Sequence, residues 1–104
     1  MDKKLPLALK VNDLDNVATV FSNEAVAGCE VEVRDKKGNG YVMKIHSDIP
    51  YGHKVALRDI HVDEDVIKYG EEIGVATRDI RVGEHVHVHN LDSMRGRGDL
   101  EGKA

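Results

Sequence analysis

One pattern occurs three times in the second half of the chain: Asp-Ile-x-x-(Gly/Asp)-x-x-Val, at residues 48–55, 59–66 and 79–86. Each copy reads as an apolar Ile to bury, a tight turn at the Gly or Asp, and an apolar Val to bury after the turn. Gly and Asp are residues that tolerate the backbone of such turns. Each copy is therefore expected to be a small β corner. The copies are unequally spaced, which excludes a regular solenoid period. The pattern predicts one compact domain that reuses a turn unit.

The rest of the chain agrees with a β reading. Cys29-Glu-Val-Glu-Val-Arg34 and Tyr41-Val-Met-Lys-Ile-His46 both alternate with period two, as half-buried strands do. Between them lies Asp35-Lys-Lys-Gly-Asn-Gly40, so residues 29–46 predict a hairpin. The apolar run at residues 5–9 and the β-branched run at 17–21 predict two further strands. Tyr69-Gly70 and Ile73-Gly74 flank Glu71-Glu72 and predict another tight reversal. No long segment has a 3.6-residue apolar period, so helix should be scarce and short. The expected fold class is mainly β, with short strands, tight turns and little helix. Residues 1–91 are read as a single domain, and residues 92–104, rich in Gly and without periodicity, as a flexible tail or linker.

Composition narrows the function. The 104 residues carry a formal net charge of −4, which disfavours a surface that tracks phosphates, and there is no Trp and one Phe for stacking on bases. No nucleic-acid partner is expected. No run approaches the roughly 18 apolar residues of a membrane span. Lys3 and Lys4 precede a short apolar run that is interrupted by Pro6 and followed by no cleavage site. The one cysteine, Cys29, cannot form an internal disulfide and reads as a small core residue. The cytoplasm is the expected compartment. The acidic groups Asp63-Glu64-Asp65 and Glu71-Glu72 read as solvated faces. Phosphate-binding loops, dinucleotide fingerprints and Cys-x-x-Cys pairs are all missing.

The histidines carry what chemistry the sequence shows. His85, His87 and His89 alternate with Val86 and Val88, so in a strand three imidazoles would line one face and two valines would pack behind. Two imidazoles can bind one transition-metal ion with a third ligand from elsewhere. The same spacing also suits an exposed strand face with solvated rings. Asn90 follows and could hydrogen-bond a substrate hydroxyl or carboxylate. His53 stands beside Lys54 straight after the Pro50-Tyr51-Gly52 turn, where an acid–base group and a fixed positive charge could meet an anion, or could simply face solvent. His46 and His61 have no local partners in the sequence and read as structural.

Several ordered blocks resemble a known family. Ile49-Pro-x-Gly-His-Lys-Val-Ala-Leu57, Val66-Ile-Lys-Tyr-Gly70, Ile73-Gly74 and Gly83-Glu-His-Val-His-Val-His-Asn-Leu91 are similar to the small domain of the altronate dehydratase family. That family includes sugar-acid dehydratases and sulfolactate sulfo-lyases. The Asp-Ile-Pro-x-Gly unit also resembles the SAF domain, whose fold is a β-clip. The resemblance covers nearly half the chain, and the first 45 residues match less clearly. The family's large catalytic region does not appear in this sequence, so the resemblance implies a separate small subunit, or an N-terminal domain cut from a longer protein.

The implied chemistry is β-elimination from a hydroxy acid such as altronate, with loss of water, or of sulfite in the sulfo-lyase branch. Such a reaction needs a base for the proton beside the carboxylate and an acid or metal for the leaving group. The resemblance implies a divalent metal, iron(II), held mainly by the large subunit. It implies His53, His87 and His89 as catalytic residues, Lys54, Tyr69 and Asn90 as substrate-binding residues, and His87 and His89 as metal ligands completed by the partner. His85 is a weaker candidate. The expected partners are the large dehydratase subunit, without which this chain should be inactive, and a sugar acid. Exposed strand edges make a homo-oligomer plausible. The alternatives are a SAF-type module that binds carbohydrate or a partner without catalysis, and a structural subunit that stabilises the large chain.

Overall fold

A computed structural model describes residues 5–93, and all regular structure among them is β. Strand β1 spans Leu7–Leu9, β2 Val17–Val20, β3 Glu30–Arg34 and β4 Gly40–Lys44. Then follow β5 at Lys54–Ala56, β6 at Asp65–Lys68, β7 at Glu71–Ala76, β8 at His85–Val86 and β9 at Leu91–Ser93. Six strands form one sheet in the order β4-β3-β1-β2-β5-β8, and three form another in the order β6-β7-β9. Most neighbours are antiparallel, while β1 runs parallel to β3.

The hairpin expected at 29–46 is present. β3 pairs antiparallel with β4, from Glu30 opposite Lys44 to Arg34 opposite Gly40. Its turn is organised by Asp35, whose Oδ1 accepts from the backbone N–H groups of Lys37 and Asn39 at 2.9 Å each. Val31 and Val33 are buried while Glu30 and Arg34 face solvent, as the alternation requires.

The three turn units are also present, and their apolar positions are the core. Ile49, Ile60 and Ile80 are buried, and so are Val55, Val66 and Val86. The turn position has positive φ in every copy: Gly52 at 83°, Asp63 at 71° and Gly83 at 89°. In each turn the next N–H donates back three residues, His53 to Pro50 O, Glu64 to His61 O and Glu84 to Arg81 O. A positive φ at the third turn position with this bond is the type II arrangement. Ile60 and Ile80 exchange two backbone hydrogen bonds, each 2.7 Å, which joins the second and third copies about a local dyad.

A fourth, degenerate copy partners the first. Residues 24–31 read Glu-Ala-Val-Ala-Gly-Cys-Glu-Val, with Gly28 at φ 91° and Cys29 N–H donating to Val26 O. Ile49 N–H donates to Ala25 O, the counterpart of the Ile60–Ile80 exchange. The four copies divide between two apolar clusters. One holds Ala25, Val31, Ile49 and Val55 with Ile45 and Val20; the other holds Ile60, Val66, Ile80 and Val86 with Val17 and Ala56.

Two expectations need correction. Ile73-Gly74 is not a reversal. It lies inside β7, where Ile73 is the extra residue of a bulge between the Ile67–Glu72 and Val66–Gly74 pairs. The reversal is Tyr69-Gly70 alone, with φ of 59° and 73°, the two-residue turn that suits a twisted hairpin. Gly74 serves close packing instead, because a Cβ there would fall on the Asp92 carbonyl oxygen and 2.8 Å from Leu91 Cδ1. Strand pairing also continues through Asp92 and Ser93, past the expected boundary at 91. The tail expected beyond it, at residues 94–104, lies outside the described residues.

Candidate functional site

The antiparallel pairing of β5 with β8 places Val55 opposite His85 and Lys54 opposite Val86. This brings His53, at the end of the first type II turn, beside His85 across 32 residues of sequence. His53 Nδ1 and His85 Nε2 are 2.8 Å apart, a hydrogen bond in which one ring supplies the N–H and the other the lone pair. The His53 and His87 rings stack with centroids 3.9 Å apart. His89 stands next to His85 at 5.0 Å, on the exposed side.

The expected five-residue strand face is corrected here. β8 ends at Val86, and residues 87–90 form a turn. Val88 therefore does not pack behind the rings but is 80% exposed. The cause is Asn90. Its Oδ1 accepts from His87 N–H at 3.0 Å, its Nδ2 donates to His85 O at 2.9 Å, and its own N–H donates to His87 O. Asn90 is 4% exposed with its amide directed inward. It holds the imidazoles in place, rather than offering the amide outward as a substrate contact.

Because the strand stops, the i, i+2, i+4 rule no longer governs which rings meet. The ligand atoms that lie within 4.8 Å of one another are those of His53, His85 and His87. The expected metal pair was His87 with His89; the ligand atoms that converge are those of His53, His85 and His87, with the His53 ring nearest to both others, 5.0 Å from His85 and 3.9 Å from His87. The trio's electrostatics suit metal ligation. Burial and the neighbouring His89, His53, His87 and Lys54 push His85 down to about 4, and burial followed by His53, Lys54 and His89 lowers His87. Both are neutral near pH 7, the form that ligates metal. Zn–N bonds of about 2.0–2.1 Å imply ligand separations of about 3.3–3.4 Å in a tetrahedral site, so His53 Nδ1 and His85 Nε2 would part slightly from their 2.8 Å hydrogen bond to share an ion.

Position 53 is available for this because of Pro50. In the second and third copies the residue after the turn is a glutamate that caps the turn's first N–H: Glu64 Oε1 accepts from His61 N–H at 2.6 Å, and Glu84 Oε1 from Arg81 N–H at 2.8 Å. Pro50 has no N–H to cap, and His53 replaces the acid.

Of the other predicted residues, Lys54 lies close enough to His85 and His87 to help lower both. Lys54 is half-buried on β5, and its ammonium is held below the usual lysine range, first by burial and then by Lys68. Tyr69 is 58% exposed at the β6–β7 turn, with Lys68 Nζ 4.7 Å from its ring centre. Phe21 and Tyr51 are exposed and meet edge to face at 5.9 Å. His46 packs against Gly83, and His61 lies 3.9 Å from Asp79, both away from the trio. Cys29 packs partly buried against the first cluster.

A family profile described as the altronate/galactarate dehydratase SAF domain matches residues 6–94. The chain belongs to this family. The SAF domain matched here is also similar to named proteins. Altronate dehydratase from Escherichia coli (strain K12) is 43% identical over 100 residues, covering 89% of this chain and 19% of that enzyme. The (2R)-sulfolactate sulfo-lyase subunit alpha of Chromohalobacter salexigens is 52% identical over 52 residues, 50% of this chain and 55% of that subunit. Galactarate dehydratase (L-threo-forming) of Escherichia coli is 38% identical over 78 residues, 75% of this chain and 14% of the enzyme. The SAF chain thus spans only a part of these relatives. No helix among its described residues is long and apolar enough to cross a membrane.

Proposed function

We propose that this SAF domain works as a small subunit or N-terminal domain of a hydro-lyase that dehydrates a sugar acid such as altronate by β-elimination, together with a large catalytic region. The observation that carries the reading is the convergence of His53, His85 and His87 from two separate turn units. Such a cluster is built by long-range pairing and by the inward amide of Asn90, so it is more than a solvated strand face. The relatives' names support a lyase.

His53, His85 and His87 are the residues of this chain that would hold a divalent ion such as iron(II), with further ligands from the large region. A bound divalent ion polarises the hydroxyl or carboxylate oxygen of a hydroxy acid. His89, next to the trio and exposed, would exchange a proton with the leaving hydroxyl. Lys54 and Tyr69 supply polar contacts to the acid. The exposed Phe21–Tyr51 pair and Val88 beside the imidazoles provide apolar surface for the large region to cover.

A second reading keeps the scaffold and changes the leaving group: a sulfo-lyase that expels sulfite from sulfolactate. It is favoured by the 52% identity to a sulfo-lyase alpha subunit, of which this chain covers 55%.

The deciding experiment is capture of the partner from the source cells with this chain as bait, then reconstitution with iron(II) and assay on altronate, galactarate and sulfolactate. Turnover that needs both chains, and that falls about tenfold or more in His87→Ala, supports the proposal. Full turnover in His53→Ala and His87→Ala overturns the catalytic role and leaves a binding or stabilising module. Loss of complex formation in those variants would assign the imidazoles to the interface.

A further inference from the structure

Strand β5 presents its two faces at consecutive residues. Val55 and its neighbour His85 share one face. Lys54 lies between Thr19 on β2 and Val86 on β8, so these three side chains share the other. Thr19 is 7% exposed, and its hydroxyl Oγ1 has no hydrogen-bond partner. A buried hydroxyl left this way is uncommon in a native fold and asks for an explanation. Directly opposite pairs of this kind bring Cβ atoms within about 4.5–5.5 Å, so Thr19's cross-strand neighbours on that face are Lys54 on β5 and the apolar Leu9 on β1, of which Lys54 alone is polar.

Lys68 closes the region from the second sheet. β6 is locked to β2 by Asn16, whose Nδ2 donates to Asp65 O at 2.9 Å and whose Oδ1 accepts from Ile67 N–H at 2.8 Å. This brings Lys68 close enough to Lys54 for mutual repulsion. Among the described residues neither lysine has a carboxylate within ion-pair distance, although Arg34, Lys37 and Arg58 do. Acids are not scarce, since the chain has 19 Asp and Glu against 15 Lys and Arg. Lys54 thus stands opposite an unpartnered hydroxyl without an ion-pair partner of its own, and Lys68, which pairs in register with Glu71 across β6–β7 and has its ammonium 4.7 Å from the Tyr69 ring, adds a second positive charge nearby.

We propose that Thr19, Lys54 and Lys68 form a carboxylate-binding site on the face of β5 opposite His85. The Thr19 hydroxyl donates to one carboxylate oxygen and the two ammonium groups to the other lone pairs. Lys54, on its flexible stem, is the cover that moves to admit the anion. Assigning the ligand as the carboxylate of a hydroxy acid rests on the hydro-lyase reading, whereas the existence of the site does not.

The test is titration of the full, metal-free chain with galactarate, followed by amide NMR, with the uncharged polyol galactitol as control. Expected are shifts at Thr19, Lys54 and Lys68 with galactarate alone, and affinity about tenfold weaker in Lys68→Met and at least several-fold weaker in Thr19→Val. Thr19→Val keeps the shape and removes the unpaired hydroxyl, so its urea midpoint should stay level or rise while anion affinity falls. Wild-type affinity in Thr19→Val and Lys68→Met overturns the site, as does equal binding of galactitol or no binding at millimolar galactarate. His85→Ala should retain carboxylate binding. If it does while the reconstituted enzyme proves inactive on hydroxy acids, the hydro-lyase reading fails and the anion site stands.

Discussion

Asp59 and Asp79 cap each other's turns. Asp59 Oδ1 accepts from Val82 N–H and Asp79 Oδ1 from Val62 N–H, both at 2.9 Å. The first aspartate of each copy therefore completes the other copy's corner, across the Ile60–Ile80 exchange. Asp48 does the same for the fourth copy, accepting from Ala27 N–H at 2.8 Å. The repeated Asp is thus a contact between copies, where the sequence suggested only the start of each turn.

Asp59→Ala and Asp79→Ala should each destabilise the domain by about 1 kcal/mol, the usual worth of one hydrogen bond of this kind. Because the two caps flank one dyad, the double variant should depart from the sum of the singles. Urea unfolding of the four proteins measures this, and unchanged midpoints in both singles would refute the cap.

Glycine substitutions should separate strain from collision. Gly52 and Gly83 have nearly the same φ, 83° and 89°. An added Cβ meets nothing within 4 Å at Gly52, but at Gly83 it meets Lys44 O at 2.8 Å and His46 Cδ2 at 2.9 Å. Gly52→Ala should cost about 1 kcal/mol from backbone strain alone, and Gly83→Ala clearly more. Asp63→Gly, at a φ of 71°, should change stability little or raise it by a few tenths of a kcal/mol. Equal losses for the two alanine variants would contradict the packing described around Gly83.

Asn90→Ala should act through the imidazoles. It removes two side-chain hydrogen bonds from a nearly buried site and leaves His87 N–H and His85 O without their partner. A loss of about 2–4 kcal/mol follows from two such bonds. Metal titration of the chain should weaken in the same variant, because His87 loses its fixed position. Retention of both stability and metal affinity would count against Asn90 as the organiser of this turn.

The metal-free domain should lose stability in mild acid. In the fold His85 is pushed down to about 4, while in the unfolded chain it returns to its ordinary 6.5. Between those values the unfolded state binds a proton that the folded state refuses. Stability is therefore level above about pH 6.5 for this group and declines as pH falls toward about 4, with His87 adding in the same direction. Urea midpoints across this range, in wild type and His85→Gln, test the assignment: the variant should show a shallower decline.

Much of the scaffold was legible because its signals are local. The period-two runs around Asp35-Lys-Lys-Gly-Asn-Gly40 locate the β3–β4 hairpin, and the three Ile and three Val of the repeat are all buried. The fourth copy was hidden because Glu24 replaces the Asp and Ala25 the Ile, while only Gly28 and Val31 retain the pattern. Alternation misled at 85–89, where nothing local tells that Asn90 will pull the chain into a turn. The pairing of His53 with His85, and the Thr19–Lys54–Lys68 grouping, depend on strand order and register. Those arise from which turn units dock on one another, and no spacing within a segment encodes them.

Pro50 has a consequence for how such a scaffold could be redesigned. In the turns that begin at His61 and Arg81, the side chain three positions on is occupied in holding an N–H, and replacing it would open the corner. A proline at the start releases that position from upkeep. Position 53 is already released in this way and bears an imidazole. Proline at position 81 would release position 84, immediately before His85, and turn a supporting glutamate into a site open to a designer's chosen ligand.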